Sequence, residues 1–370
     1  MKIFFLQPAY AHYRNKFFEL LSNHYNIIYF FERSKRTYPG QTNMPNISHC
    51  FLDLQFKFSS IGILYYLLKE KPEIVITSVS SSFRSLISQL YTQIFNKRLI
   101  LWVEEWTTIS TNSSGQNATS KIKIKIRSIV SEMVIKYSSA IVTSGTASYN
   151  YIRSKGVDKN KIFISIQSTP DLGKHIGLKE SINNSSKYVF LYIGRIIELK
   201  GLDILLKAYH QLRRKRNDIS LFIAGDGPFK EYCMQLSRKL DIDDVTFYGS
   251  ISHDRVSDIY KQGDVFVLPS YFFKNNYEGW GLVINEAMSM GLPIITTNAV
   301  GASFDLVVNG ANGYIVKENS VDDLYRAMEK ILEMNLIEMG KCSRVFFENN
   351  NDYNKMTAGF IRAIKYVINI

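Results

Sequence analysis

The sequence predicts an α/β protein made of two doubly wound, Rossmann-like domains, and three observations carry that expectation. Short apolar runs alternate with amphipathic helical stretches across short connections, the rhythm of parallel strands covered by helices. The chain has 370 residues, more than the ~250–300 at which a single core stops growing. Near its middle, residues 171–186 gather Gly173, Gly177, Asn183, Asn184, Ser185 and Ser186, the composition of a linker.

Taken in order, Ile3 to Leu6 reads as a first strand, closed by Gln7 and Pro8, and Arg14 to Ser22 as a helix. Asn26 to Phe31 is a second strand, Ile61 to Glu70 a helix, and Ile74 to Thr77 a third strand. Phe83 to Phe95 is helical and Arg98 to Val103 a strand. From Lys121 to Arg127 cations alternate with isoleucines, a strand signal, but the i, i+3, i+4 spacing that follows through Ile135 favours a helix. Ala140 to Thr143 and Thr146 to Lys155 form a further strand and helix. Tyr188 to Ile193 opens the second domain and Leu202 to Leu212 follows as a helix. Leu221 to Ala224 is a strand ending in the turn Gly225-Asp226-Gly227-Pro228. Asp352 to Ile370 is a terminal helix, with Asn349 to Asn351 before it as a hinge or cap. The expected boundaries are 1–175, 176–350 and 351–370.

The densest chemistry lies between Glu278 and Met288. The strand Val265 to Leu268 must end by Pro269, which cannot donate to a central ladder. Leu282 to Met290 then reads as a helix, capped by Gly291 and blocked by Pro293. Glu278 therefore lies in the loop before the helix and Glu286 about one turn inside it. Gly279 and Gly281 bracket Trp280, so backbone N–H groups as far as Leu282 can approach a ligand at the positive end of the helix dipole. Two carboxylates beside anion-seeking amides suit a molecule carrying both hydroxyls and phosphate, such as a nucleotide sugar. A second motif precedes it. After the strand ending at Ile193, Gly194-Arg195 and Lys200-Gly201 bound a short loop that enters a helix. Arg can fork onto two phosphate oxygens while Lys acts as a point charge, so the two cations of this loop, both expected to be exposed, suit a diphosphate clamp.

The stretch Glu278 to Thr297, together with Gly194 to Gly201 and Leu221 to Pro228, closely resembles the retaining glycosyltransferases of family 4, which have the GT-B fold. The resemblance covers roughly residues 187–332 and is much weaker before residue 180. It implies two Rossmann-like domains facing across a cleft, with the C-terminal helix crossing back to the first. It implies diphosphate roles for Arg195 and Lys200, donor-sugar hydroxyls for Glu278 and the ribose for Glu286. Gly227 belongs to the matching Gly-rich turn. The implied reaction is a retaining transfer of a hexosyl unit from a nucleotide-diphosphate sugar, with Glu278, Arg195 and Lys200 as the catalytic set. The departing phosphate itself would take the acceptor proton. No Asp-x-Asp pair supports a divalent metal in the donor site, so activity without metal or other cofactor is expected.

The first domain is less specific. Gln7-Pro8-Ala9-Tyr10-Ala11-His12-Tyr13-Arg14 closes strand one, and Tyr13-Arg14-Asn15-Lys16-Phe17 resembles a subgroup active in surface-polysaccharide assembly (capsule, O-antigen or lipopolysaccharide). Tyr10, His12 and Arg14 are therefore placed on the acceptor side, with His12 either a proton shuttle, an acceptor contact or a plain surface histidine. Glu104 and Glu105 stand at another strand end, where one hydrogen-bonds an acceptor hydroxyl or the two form a solvated pair. Charge is shared unevenly. Residues 1–180 hold 23 Lys and Arg against 11 Asp and Glu, whereas residues 181–370 hold 22 of each. Such a basic half suits an anionic membrane surface or lipid-linked acceptor, or is only a solvated surface. No nucleic-acid-binding signature accompanies it. Three separated cysteines form no disulfide framework, and no apolar run reaches the ~18 residues of a spanning helix. A cytoplasmic protein, peripheral on the inner face of the membrane, is expected. A sugar-nucleotide epimerase of related fold and a non-catalytic scaffold are the competing readings.

Overall fold

The computed structural model describes residues 1–33, 45–52, 59–107, 118–174, 187–274 and 276–370. The chain divides into two compact units, Met1–Ser168 with Asp352–Ile370, and Thr169–Asn351. Of the expected linker, only residues 171–174 lie within the described residues.

The first unit runs β1 (Lys2–Ala9), α1 (Asn15–Ser22), β2 (Asn26–Arg33), β3 (His49–Phe51), α2 (Ser59–Glu70), β4 (Ile74–Ser78), α3 (Phe83–Ile94), β5 (Arg98–Val103), α4 (Ala118–Tyr137), β6 (Ala140–Thr143), α5 (Thr146–Ser154) and β7 (Ile162–Ile164). The second runs β8 (Tyr188–Ile193), α6 (Leu202–Arg213), β9 (Ile219–Ala224), α7 (Lys230–Lys239), β10 (Val245–Gly249), α8 (Val256–Tyr260), β11 (Val265–Leu268), α9 (Leu282–Ser289), β12 (Ile294–Thr297), α10 (Ser303–Leu306), β13 (Gly313–Val316), α11 (Val321–Ile331) and α12 (Leu336–Asn350). The last helix, α13 (Tyr353–Ile368), returns to the first unit.

Both sheets are wholly parallel, in the orders β3-β2-β1-β4-β5-β6-β7 and β10-β9-β8-β11-β12-β13. These are two Rossmann-like domains of the α/β class. Strand order reverses between β1 and β4 and again between β8 and β11. In open α/β sheets ligands bind beyond the carboxyl ends of strands at such a switch point. The loops after β1, β8 and β11 are the ones that carry Tyr10 to Arg14, Arg195 to Lys200, and Glu278 to Gly281.

Strand β1 continues past Leu6 to Ala9 despite Pro8. Its pairing with β4 stops at Leu6, and only β2 accompanies it to Ala9, so the missing N–H of Pro8 interrupts no central ladder. The alternating run from Lys123 to Ile135 is helical within α4. Helix α13 buries Met356, Phe360, Ala363, Ile364 and Val367 in one core with Phe5, Phe17 and Trp102. Asp352 caps it by accepting from Asn354 N–H at 2.7 Å, and α12 ends on Asn351.

Candidate active site

Strand β8 delivers the chain into a turn at Gly194-Arg195. The Arg195 guanidinium is solvent-exposed, while Ile196 behind it is fully buried. Gly227 lies directly against that turn, since a Cβ there would stand 2.3 Å from the Ile196 carbonyl oxygen. The glycines of the turn after β9 thus let two loops touch backbone to backbone, which is what the structure assigns to Gly227. The chain then makes a short 3-10 turn, Glu198–Lys200, and Gly201 follows in the left-handed region at φ 69°. A Cβ on Gly201 would meet the Pro269 carbonyl oxygen at 2.1 Å. Tyr271 N–H donates to the Leu199 carbonyl at 2.9 Å, so the loop after β8 is docked on the end of β11.

That docking corrects one sequence expectation. Lys200 is not an exposed loop cation but is 9% exposed, and its Nζ makes an ion pair with Glu278 Oε2. The pairing also joins the two groups that the sequence reading had assigned to separate parts of a ligand. An ammonium has three donors, so the contact with Glu278 leaves capacity for a phosphate oxygen. Glu278 is held by its backbone too: its carbonyl accepts from Gly301 N–H at 3.2 Å.

Trp280 is buried, and its indole N–H donates to Asn285 Oδ1 at 2.9 Å. Asn285 Nδ2 donates in turn to Asn351 Oδ1 at 2.9 Å, and that oxygen also accepts from Thr169 N–H at 2.8 Å. The Trp280 side chain therefore anchors the loop from behind, and what it can offer a ligand is backbone. Gly281, at φ 96°, turns the chain into α9 beside Gly279 and Leu282. The first N–H groups of any helix lack intrahelical partners, so this start is electropositive. Glu286 lies one turn further on. Burial pushes its carboxyl up to about 7, with the Tyr260 hydroxyl, which donates to Oε2 at 2.9 Å, pulling the other way. Tyr260 and Asn285 were missed by sequence reasoning. Asn285 adjoins Glu286, but a tyrosine on α8 gives no local signal.

In the first unit Arg14 is largely buried rather than presented to a ligand. Its Nη1 donates to Gln7 Oε1 at 3.0 Å and its Nη2 to Glu104 Oε1 at 2.5 Å, with the guanidinium 4.4 Å from the centre of the Trp102 ring. Tyr10 is buried and donates to Asn15 Oδ1 at 2.5 Å. His12 is half-buried, in a T-shaped contact with Tyr13. Glu105 is not a solvated loop residue. It accepts from Ser80 N–H at 3.3 Å, and burial raises its pKa above the ordinary carboxylate range. It lines a pocket with Ser80, Ser131, Arg127, Tyr151 and Lys155, beyond the carboxyl ends of β4 and β5.

No group of three His, Cys, Asp or Glu side chains poised for a metal occurs among the described residues. The sequence does contain one Asp-x-Asp, Asp241 and Asp243. It precedes β10, at the amino end of the strand and so at the opposite sheet edge from the loops above.

Residues 178–349 match the family described as Glycosyl transferases group 1. They form a glycosyltransferase group 1 domain. An uncharacterized glycosyltransferase of Methanocaldococcus jannaschii is 23% identical over 319 residues, 83% of this chain and 78% of that protein. Other curated relatives match over shorter stretches, and the chain spans under half of their length. Among solved structures, HepE of Anabaena in complex with UDP and glucose superposes with a TM-score of 0.73 at 14% identity, covering 99% of both chains. The lipopolysaccharide outer core galactosyltransferase WaaB, in its apo form, gives 0.71 at 20% identity over 98% of this chain and 99% of that one. At these identities the likeness is one of fold.

Proposed function

We propose that the protein is a retaining, metal-independent glycosyltransferase that moves a hexosyl unit from a nucleotide-diphosphate sugar to an acceptor hydroxyl. The observation that carries the reading is the Lys200–Glu278 ion pair. It sits between the loops after β8 and β11 at the switch point, flanked by Arg195 and by the start of α9. Arg195, Lys200 and the α9 amides neutralise charge as it grows on the leaving diphosphate, and such fixed electrostatics are usually the largest catalytic term. Glu278 accepts from sugar hydroxyls and Glu286 from the ribose. The bond from the anomeric carbon to the diphosphate oxygen breaks as the bond to the acceptor oxygen forms on the same face. The acceptor proton passes to the departing phosphate oxygen. Two protein cations at the diphosphate do the work a divalent ion would otherwise do.

The acceptor side belongs to the first unit, where Tyr10, His12, Arg14, Glu104 and Glu105 follow strand ends. Arg14 holds Glu104 in place, and Glu105 with its pocket is the group that meets an acceptor hydroxyl. The basic first half fits a lipid-linked acceptor in cell-surface polysaccharide assembly at the cytoplasmic face of the membrane, and the UDP and glucose in the HepE structure favour a UDP-hexose. Incubation with UDP-, GDP-, dTDP- and ADP-sugars, with and without EDTA, tests this. An axial product from an axial donor, unchanged by EDTA, is expected. Inversion, or loss of activity with EDTA that metal restores, would overturn the respective part.

A further inference from the structure

Three adjacent helices of the first unit turn apolar side chains outward. Ile63 and Leu67 of α2, Tyr91 of α3, and Val134 and Ile135 of α4 share one buried core on the same face of the sheet. Helix α3 packs against both α2 and α4. On the outer side, α2 exposes Ile61, Leu64, Tyr65 and Leu68 at helical spacing. Helix α3 exposes Phe83 (65%), Leu90 and Ile94 (72%), also along one stripe. Helix α4 exposes Ile122, Ile126, Ile129, Met133 and Tyr137, again one face. In the second unit exposed large apolar residues are scattered instead, as Tyr232, Phe304, Met334 and Val345 illustrate. Single exposed residues are normal on a soluble surface, whereas a contiguous patch marks an interaction site.

Charge selects the occupant. The only charged residue of α3, Arg84, is buried, and those of α2 are Lys69 and Glu70 in its last turn. On α4 the exposed Lys123, Lys125 and Arg127 interleave with the exposed isoleucines, Lys136 follows, and the one acid, Glu132, stands 3.9 Å from Lys155. Apolar stripes edged by long cationic side chains are the pattern of a helix lying in a membrane interface, with the chains reaching up to headgroup anions. The three helices together carry Lys69, Lys123, Lys125, Arg127 and Lys136 against only Glu70 and Glu132, so two copies docked through this face would meet as like charges, which disfavours self-association.

We propose that the outer surface of α2, α3 and α4 seats in an anionic lipid leaflet, its apolar side chains below the headgroups and the α4 cations upon them. This deepens the acceptor side of the function proposed above and rests on it for the lipid-linked acceptor. Helix α4 also forms one wall of the pocket holding Glu105, so a docked face would hold that pocket at the lipid surface.

The test is co-sedimentation of the full-length chain with vesicles of phosphatidylcholine alone or mixed with phosphatidylglycerol, at low and high salt. Binding should require the acidic lipid at low salt and be only partly released at high salt, because seated apolar groups are not screened. The combined exposed-site variant Leu90→Ser, Ile94→Ser, Ile126→Ser should lose binding about tenfold or more at both salt levels. Lys123→Glu with Lys125→Glu should abolish the preference for acidic lipid. Absence of wild-type binding, complete release by salt, or unaltered binding by the serine variant would each overturn the proposal. So would a wild-type dimer in light scattering that the serine variant dissolves. Nucleotide titration of the same variant should match wild type. If no nucleotide binds either protein, the transferase reading falls while the vesicle result stands on its own.

Discussion

Glu286 combines a structural cost with the ligand role proposed for it, and the two can be separated by pH. Its folded pKa, about 7 through burial, lies above the ordinary value of about 4.3. The folded state therefore holds the proton more tightly, and the stability this gives below the ordinary pKa is lost as pH rises through about 7. Glu286→Gln removes that loss, so in thermal unfolding it should match wild type in acid. Near pH ~8 it should be more stable by roughly 2–4 kcal/mol. Nucleotide affinity should move oppositely: rising through neutral pH in wild type, and weaker and flat in the variant. Arg195 and Lys200 should also part company. Arg195→Ala removes an exposed cation, so activity should fall about ten- to a hundredfold with unchanged thermal stability. Lys200→Ala strands the Glu278 carboxylate in a nearly buried pair, so it should also cost about 1–3 kcal/mol in urea unfolding. The double variant Lys200→Ala, Glu278→Gln should lose less than the sum of the singles. The motif spacing singled out Arg195, Lys200, Glu278 and Glu286 as candidates. It did not reveal that Lys200 and Glu278 grip each other, nor that Tyr260 reaches Glu286 from 26 residues away, because such contacts are set by packing rather than by local pattern.

At the scale of elements, the strands and helices read from the sequence all occur, with ends that differ by up to three residues, whereas α7, α8, β10, β12, α10, β13, α11 and α12 were not read individually. Strand β3, with His49, Cys50 and Phe51, and strand β7, with Ile162 to Ile164, have three residues each, too short to give a periodic signal. Lys200 was misjudged because a loop cation reads as solvated until the loop is seen docked on β11. Two elements bear directly on the fold. Phe360 of α13 is fully buried, with its ring centre 4.9 Å from that of Phe17 and 5.2 Å from that of Trp102. Phe360→Ala should destabilise the first unit by about 3–5 kcal/mol, seen as faster proteolysis of residues 1–168 than of 169–351. Gly201→Ala would place a methyl on the Pro269 carbonyl at a left-handed φ. It should lower both stability and activity, whereas Gly310→Ala, also at positive φ but with open space around it, should leave activity intact.

For the molecule as a whole, both units repeat one plan, with functional loops beyond the carboxyl ends of the strands flanking a switch point. The alternation of elements and the chain length were enough to anticipate that plan. The proposed division of labour rests mainly on the donor side, where several motifs fall in one order within 150 residues. The first unit showed its charge but not its apolar face, because α2, α3 and α4 come together only through the sheet they cover. The central claim is that the second unit binds a nucleotide-diphosphate sugar with Glu286 on the nucleotide and Glu278 on the sugar. Isothermal titration of wild type, Glu286→Gln and Glu278→Gln with free UDP and GDP, paired with transfer rates, tests it most directly. Glu286→Gln should weaken nucleotide binding about tenfold or more, while Glu278→Gln should spare nucleotide affinity and damage transfer. Equal loss of nucleotide affinity in both variants, or no nucleotide binding by wild type, would contradict the account.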